Sequence, residues 1–407
     1  MKHVVGLDIG SHSIKAVVAE VKKGNKLSLI QTIKMPSAGL RRGVIDDLPE
    51  ATRAVNQVFS EIKKISKNAV RNIFLSASSP DFKVQGSRGI VAVARADSEI
   101  HQDDIDRAVE ASQALKLPLN RMIVHLVVKE FIVDDMVDVR DPLGMIGNRL
   151  EVNSLVIDAL TPHVKNLSKC VESAGGEISG IFFSPLAASR AVLSKNQKEL
   201  GVALLDIGFG KTSLSIYEEN KLLHAAVFPV GSGNVTNDLA IGLKTAINAA
   251  ESIKLSLGTA LAKEAPTREQ VELVKFDPAA KGTVSRRYLA EIIEVRLAEI
   301  LEFVNNELKH IGKSSRLPAG VVLVGGGSKL PGMVDLAKQE LRMSAQIGIP
   351  NFSDFEMAGM DAIVSYEDPD LATALGLIVS GMEQSGQPSG SKSGSGLFRR
   401  LFGLFAP

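Results

Sequence analysis

The sequence predicts an α/β protein of two related domains facing each other across a cleft, with a small α+β unit inserted into the first. Three observations carry that expectation. A strand–turn–strand pattern occurs twice, at 4–18 and 202–216, each copy turning at Asp-Ile-Gly: Asp8, Ile9 and Gly10, then Asp206, Ile207 and Gly208. Between 84 and 159 the texture changes to strand, helix and two further strands, interrupting the first domain. A strand at 320–324 then runs straight into Gly325-Gly326-Gly327-Ser328.

The bulk numbers fit this plan. A chain of 407 residues exceeds one hydrophobic core and divides into about two to four units. Hydrophobic residues at 45% and charged residues at 23% are ordinary for a soluble globular chain. A net charge of +1 gives no electrostatic reason to expect nucleic acid. The lone cysteine, Cys170, excludes an internal disulfide and reads as a small core residue. The seven histidines form no metal-ligand spacing. Neither a signal peptide nor a transmembrane run is evident, so the body is expected to be cytosolic.

In chain order, a third strand is expected at 26–35. A helix follows at 48–63, with Leu48, Ala51, Val55, Val58, Phe59 and Ile62 on one face, and then a strand at 72–77. The inserted unit holds a strand at 89–94, a helix at 102–115 and strands at 121–133 and 149–159. A helix at 164–174, a strand at 178–183 and a helix at 186–193 return to the first domain. After the second hairpin, helices at 237–257 and 287–311 flank a polar stretch, and a helix at 371–382 closes the folded part. Residues 383–395 form a Gly/Ser-rich linker, with a root-mean-square reach of roughly 20 Å.

Glycines at the two turns let backbone N–H groups approach an anion closely, and hydroxyls add donors. The candidate phosphate contacts are Gly10, Ser11, His12, Ser13 and Lys15 in the first hairpin, with Gly208, Phe209, Gly210, Lys211 and Thr212 in the second. A carboxylate repels phosphate, so Asp8 and Asp206 are expected to hold Mg²⁺ through water. Gly210-Lys211-Thr212 looks like the end of a P-loop, but the required first glycine falls on Leu205 and a strand follows rather than a helix. A Rossmann turn at Gly325-Gly326-Gly327 fails because Leu330 stands at the third glycine position.

The order of two phosphate hairpins followed by a glycine-rich turn resembles the actin, Hsp70 and sugar-kinase superfamily, whose domains are ribonuclease H-like. The resemblance implies an ATP site to which Gly231, Ser232, Gly233 and Asn234 add a second glycine pair near the phosphates. It also implies that Glu251 and Lys254 reach the ribose and adenine, and that Gly325, Gly326, Gly327, Ser328 and Lys329 form the adenosine turn. Within the superfamily the chain is most similar to the FtsA family of bacterial cell-division proteins. That likeness is carried by Asp141-Pro142-Leu143-Gly144-Met145-Ile146-Gly147, Arg149-Leu150-Glu151-Val152, Gly233-Asn234-Val235-Thr236-Asn237-Asp238 and the basic amphipathic tail. The implied division is 1–83 and 163–199 for domain 1A, 84–162 for subdomain 1C, 200–232 and 308–365 for domain 2A, and 233–307 for subdomain 2B. A closing 1A helix at 366–383, a linker at 384–395 and a membrane-targeting helix at 396–407 complete it.

Two departures stand out: Ser76-Ala77-Ser78 replaces a Ser-Gly, and His12 replaces a smaller residue, which is expected to crowd the phosphate side. Hydrolytic relatives place Glu or Gln before a Pro-x-x-Ala helix start; here Ser184 precedes Pro185, so slow or absent turnover is implied. In the tail, Leu397, Phe398, Leu401, Phe402, Leu404 and Phe405 fall within an arc of roughly 160° on a helix, opposite Arg399 and Arg400. That pattern is an interfacial helix for anionic lipid. The resemblance implies a peripheral protein on the cytoplasmic face of the inner membrane at the division site. There it would self-associate into filaments and anchor the tubulin-like FtsZ by its C-terminal peptide, with Arg286, Arg287 and Arg296 as candidate contacts. Other division proteins are expected partners. The alternatives are an actin-like adaptor of type IV pilus assembly, against which the tail argues, and a small-molecule kinase, which lacks a convincing aspartate base.

Overall fold

A computed structural model describes residues 2–22, 26–351, 355–357, 367–386 and 403–405. The first domain opens with β1 (Lys2–Ile9), β2 (Ser13–Val21) and β3 (Leu27–Pro36), an antiparallel meander of alternating and buried apolar residues. A small hairpin, β4 (Leu40–Arg41) and β5 (Val44–Ile45), leads to α1 (Leu48–Ile65). Asp47 caps α1 by accepting a hydrogen bond from the Glu50 N–H at 2.8 Å, and Pro49 fits its first turn. Strand β6 (Ile73–Ala77) then pairs in parallel with β1.

The inserted unit follows: β7 (Lys83–Ala92), α2 (Gln102–Ser112), β8 (Arg121–Val133), β9 (Met136–Val139) and β10 (Arg149–Leu160). Its sheet is antiparallel with β10 at the centre, and α2 packs on one face over a separate core of Val93, Ile100, Leu126 and Val152. Strand β7 begins well before the expected 89–94. Gly86 and Gly89 fall among its half-exposed residues and blur the apolar period. At Gly89 a Cβ would stand 2.0 Å from the Ala108 carbonyl, so the glycine lets α2 lie directly on the sheet.

The chain returns through α3 (Thr161–Ser173), β11 (Ile178–Phe183), α4 (Ser184–Val192) and α5 (Lys195–Leu200). Cys170 is buried in α3, as a core residue. The second domain repeats the first: β12 (Val202–Ile207), β13 (Thr212–Glu218) and β14 (Lys221–Phe228) form a meander. Two helices, α6 (Ser232–Leu243) and α7 (Ile247–Leu257), replace the single helix expected across 237–257. Lys244 takes a left-handed conformation (φ 53°) and ends α6, while Asp277 accepts the Ala246 N–H at 2.8 Å; the nearby Gly242 lies inside α6 and not at the left-handed position. Next come β15 (Gln270–Glu272), β16 (Thr283–Ser285), α8 (Arg286–His310), β17 (Val321–Val324), α9 (Met333–Leu341) and β18 (Ala345–Ile347). Strand β17 pairs in parallel with β12 as β6 does with β1.

Strand β19 (Phe355–Met357) and α10 (Ala372–Gly386) complete the first domain, where α10 packs against α4 and β1. The helix runs to Gly386 and so occupies the first residues expected in the linker. At Gly376 an added Cβ would lie 1.8 Å from the Ala187 carbonyl, so only glycine lets these helices touch.

The tail departs from expectation where it is described. Gly403–Phe405 form β20, paired in parallel with His125–Val127 of β8, rather than a helical turn. The physical reason is the position of β8 at the border of the inserted sheet, where an added strand extends the backbone ladder. Leu397, Phe398, Arg399, Arg400, Leu401 and Phe402 lie outside the described residues. Among the described residues, no helix is long and apolar enough to cross a membrane.

Candidate nucleotide cleft

The two hairpins meet face to face. At the first turn His12 stacks on Phe209 of the second, ring centroids 4.7 Å apart and planes 29° from parallel. The histidine expected to crowd the site is instead half of a contact between the domains. Around this pair lies a cleft of about 620 Å³, the size of an ordinary small-molecule site. Its walls include Asp8, Gly10, Ser11, His12, Ser13 and Lys15 from the first hairpin, and Asp206, Gly208, Phe209, Gly210 and Lys211 from the second. Ser232, Glu251, Lys254, Gly326, Gly327 and Lys329 complete the expected set on the walls.

Other expected contacts support the walls instead. Thr212 donates its hydroxyl to the Val230 carbonyl at 2.8 Å, Asn234 accepts from the Gly231 N–H at 3.1 Å, and Ser328 donates to the Gly325 carbonyl at 2.7 Å. Gly233 lies against the Phe209 ring, where a Cβ would approach to 2.7 Å. Gly325 has φ 83°, and a Cβ there would meet the Asp206 carboxylate at 2.2 Å. The glycine therefore lets the turn at Gly325-Gly326-Gly327 pass directly over the second aspartate.

The floor is charged and, apart from Lys34, largely buried. Lys15 stands 2.8 Å from Asp370 and 3.4 Å from Asp8; Lys34 reaches Asp370 at 2.5 Å. Asp8 also accepts from the Ser76 hydroxyl at 2.6 Å, and Asp206 from Thr373 at 3.4 Å. Burial pushes the Asp206 carboxyl up to about 6, only partly offset by Lys15. Burial also works on Asp370, but Lys15 and Lys34 outweigh it and hold that carboxyl at about 2. Burial opposes the Lys15 charge, yet Asp8 and Asp370 raise its pKa overall. Lys211 donates to the Ser78 carbonyl at 2.5 Å and to the Ser78 hydroxyl, joining the second domain to the first; burial lowers its pKa. Lys34, Asp370 and Thr373 belong to this site and were absent from the sequence reading.

On the wall formed by α7, Lys254 lies 2.7 Å from Glu251, and it donates to Thr236 at 2.9 Å and to the Ser232 carbonyl at 3.2 Å. Lys329 pairs with Asp368 at 2.8 Å at the rim. The arginines expected to meet a partner are engaged within the small lobe. Arg286 pairs with Glu269 at 2.9 Å, Arg287 with Glu291 at 3.3 Å, and Arg296 grips Asp238 on α6 at 2.5 Å.

Two domains with matching strand pairing, each presenting an Asp-Ile-Gly hairpin to one cleft, make an actin-like fold with a small insertion. Solved structures share it. A chain of the PilM-PilN type IV pilus biogenesis complex has a TM-score of 0.64 at 19% identity, over 93% of this chain and 98% of that one. MreB 5 of Spiroplasma citri bound to AMPPNP has a TM-score of 0.53 at 13% identity, over 94% and 95%. The family model described as Cell division protein FtsA matches residues 203–376, and that of the SHS2 domain inserted in FTSA matches 80–158. Cell division protein FtsA of Pseudomonas aeruginosa is 34% identical over 395 residues, 97% of this chain and 93% of the relative. The chain belongs to the FtsA family of actin-like cell-division proteins.

Proposed function

We propose that the cleft binds ATP with Mg²⁺, and that the protein tethers FtsZ filaments to the cytoplasmic face of the inner membrane at the division site. The observation that carries the nucleotide reading is the pair of facing hairpins over a floor of carboxylates and lysines. The donor set fits the ligand. Asp8 and Asp206 are oxygen ligands suited to a hydrated Mg²⁺, and Lys15 and Lys211 supply charge beside the glycine turns. The metal's chemistry would be charge neutralisation of the phosphates. Glu251 and Lys254 would turn to the ribose and base, and the aliphatic stem of Lys329 would cover the adenine.

Turnover would be slow, because Ser184 stands where the attacking water would need a carboxylate or amide. The tail would leave β8 and lie as a helix on anionic lipid, with Arg399 and Arg400 toward the headgroups. One copy is a marginal anchor and an array of self-associated copies a firm one. The small lobe would receive the FtsZ peptide, where Ile241, Tyr288 and Val295 expose apolar surface beside Arg286, Arg287 and Arg296. A type IV pilus adaptor remains a likeness of fold alone.

The nucleotide part carries a signed pH dependence. Asp206 has to be ionised to hold the metal, and burial pushes its carboxyl up to about 6. Magnesium-dependent ATP affinity should therefore be flat above pH 7 and fall about tenfold by pH 5, as protons compete. Calorimetric titration with ATP at several pH values, with and without Mg²⁺, measures it. Affinity independent of both Mg²⁺ and pH would remove Asp206 from the metal site.

A further inference from the structure

Lys221 makes an ion pair that lies apart from the cleft and joins the second domain to the inserted unit. It stands on β14, and its ammonium reaches Asp138 on β9 at 2.5 Å and Glu130 on β8 at 3.3 Å. Asn153, opposite Glu130 on β10, donates to the same carboxylate at 2.9 Å. The Lys221 side chain is only 11% exposed, so the bridge escapes most of the screening that weakens surface pairs. Burial opposes the Lys221 charge, but the bonds to Asp138 and Glu130 raise its pKa overall. Asp138 also takes a left-handed backbone (φ 60°) within β9, a local cost that persists only where the surroundings hold it.

The fold makes this bridge one end of a lever. Strands β13 and β14 form one hydrogen-bonded hairpin, with Thr212 opposite Phe228 at one end and Glu218 opposite Lys221 at the other. At about 3.3 Å per residue those ends stand roughly 20 Å apart. At the first end the second domain meets the first through the His12–Phe209 stack and the Lys211 bonds to Ser78. At the other end Lys221 grips the inserted unit, which the first domain carries. Near that end the Tyr217 and Ser189 hydroxyls, 2.7 Å apart, join β13 to α4. A phosphate chain entering between the two turns has to part the contacts at the cleft end. A laddered hairpin does not move there without carrying Lys221 with it.

We propose that the Lys221 bridge links the cleft to the inserted unit: nucleotide entry pulls against it, so the intact bridge holds nucleotide affinity down. The inference rests on the nucleotide reading of the cleft. By linkage, a partner that grips the inserted unit and breaks the bridge tightens nucleotide binding, and nucleotide in turn favours that partner.

The test is equilibrium titration with Mg·ATP of the full-length protein, of Lys221→Met, of Glu130→Gln with Asp138→Asn, and of all three changes together. Melting curves without nucleotide accompany it. The lysine variant and the carboxamide pair should each bind Mg·ATP about fivefold more tightly than the parent. The triple variant should bind no more tightly than either, because both changes remove the same bridge. Lys221→Met leaves two carboxylates without their cation and should melt lower; the carboxamide pair removes that repulsion and decides the matter if the lysine variant fails to fold. A purely structural bridge would lower the melting temperature without raising affinity. Unchanged or weaker Mg·ATP binding by the carboxamide pair overturns the inference and leaves the cleft reading intact. A parent protein that binds no nucleotide overturns both.

Discussion

Asp206→Ala is expected to abolish the rise in melting temperature that ATP·Mg gives the parent protein, while leaving the ligand-free melting temperature unchanged or slightly higher. The two halves of that result have separate causes. Asp206 is a buried carboxylate whose pKa is pushed up to about 6 by burial, so without a bound cation its charge costs stability rather than adding it. With ligand present it is an expected metal holder, and its loss removes the linkage that raises stability by binding. Gly326→Val gives the matching result from the other wall. A Cβ at Gly326 comes no nearer than 3.6 Å to any neighbour, so the fold accepts it, but the branched side chain fills the adenosine position. An unchanged ligand-induced shift in both variants would move the nucleotide elsewhere.

Gly376→Ala should act in the opposite way, lowering the stability of the ligand-free protein at a contact between two helix backbones. The new methyl would stand 1.8 Å from the Ala187 carbonyl and 3.2 Å from the Ala188 nitrogen, both backbone atoms that cannot rotate aside. Pushing α10 off α4 opens the core around Phe74, Phe182, Leu375 and Ile378. We expect a loss of about 3 kcal/mol and a fall of roughly 10 °C in the melting temperature of the first domain. Calorimetric scans of the parent and the variant measure the fall. A melting temperature within about 2 °C of the parent would mean that the helices separate without penalty.

What the sequence disclosed and what it hid follow from how local each signal is. The hairpins are legible because aspartate, glycine and alternating apolar residues sit within fifteen positions of one another. Asp370 carries no local signal: its partner Lys34 lies 336 positions away, and only the return of the chain to the first domain brings them together. Thr373 reaches Asp206 across 167 positions for the same reason. The break after α6 was hidden because a lysine, rather than a glycine, takes the left-handed turn. His12 was read as a steric excess because its partner Phe209 belongs to the other domain. The tail pattern is ambiguous at its end: Gly403–Phe405 pairs with β8, and an apolar triplet serves a strand as well as a helix.

The tether is the central claim, and sedimentation of FtsZ with anionic liposomes tests it most directly. FtsZ polymers, ATP·Mg and vesicles should pellet together when the full chain is added. They should separate when the chain is cut at Gly396 or carries Phe402→Glu, with ATP binding unaltered in both. Arg399→Ala with Arg400→Ala should weaken capture less, and mainly on anionic vesicles, because the apolar face still partitions. Equal capture of FtsZ by the intact and the tail-deleted protein would contradict the account.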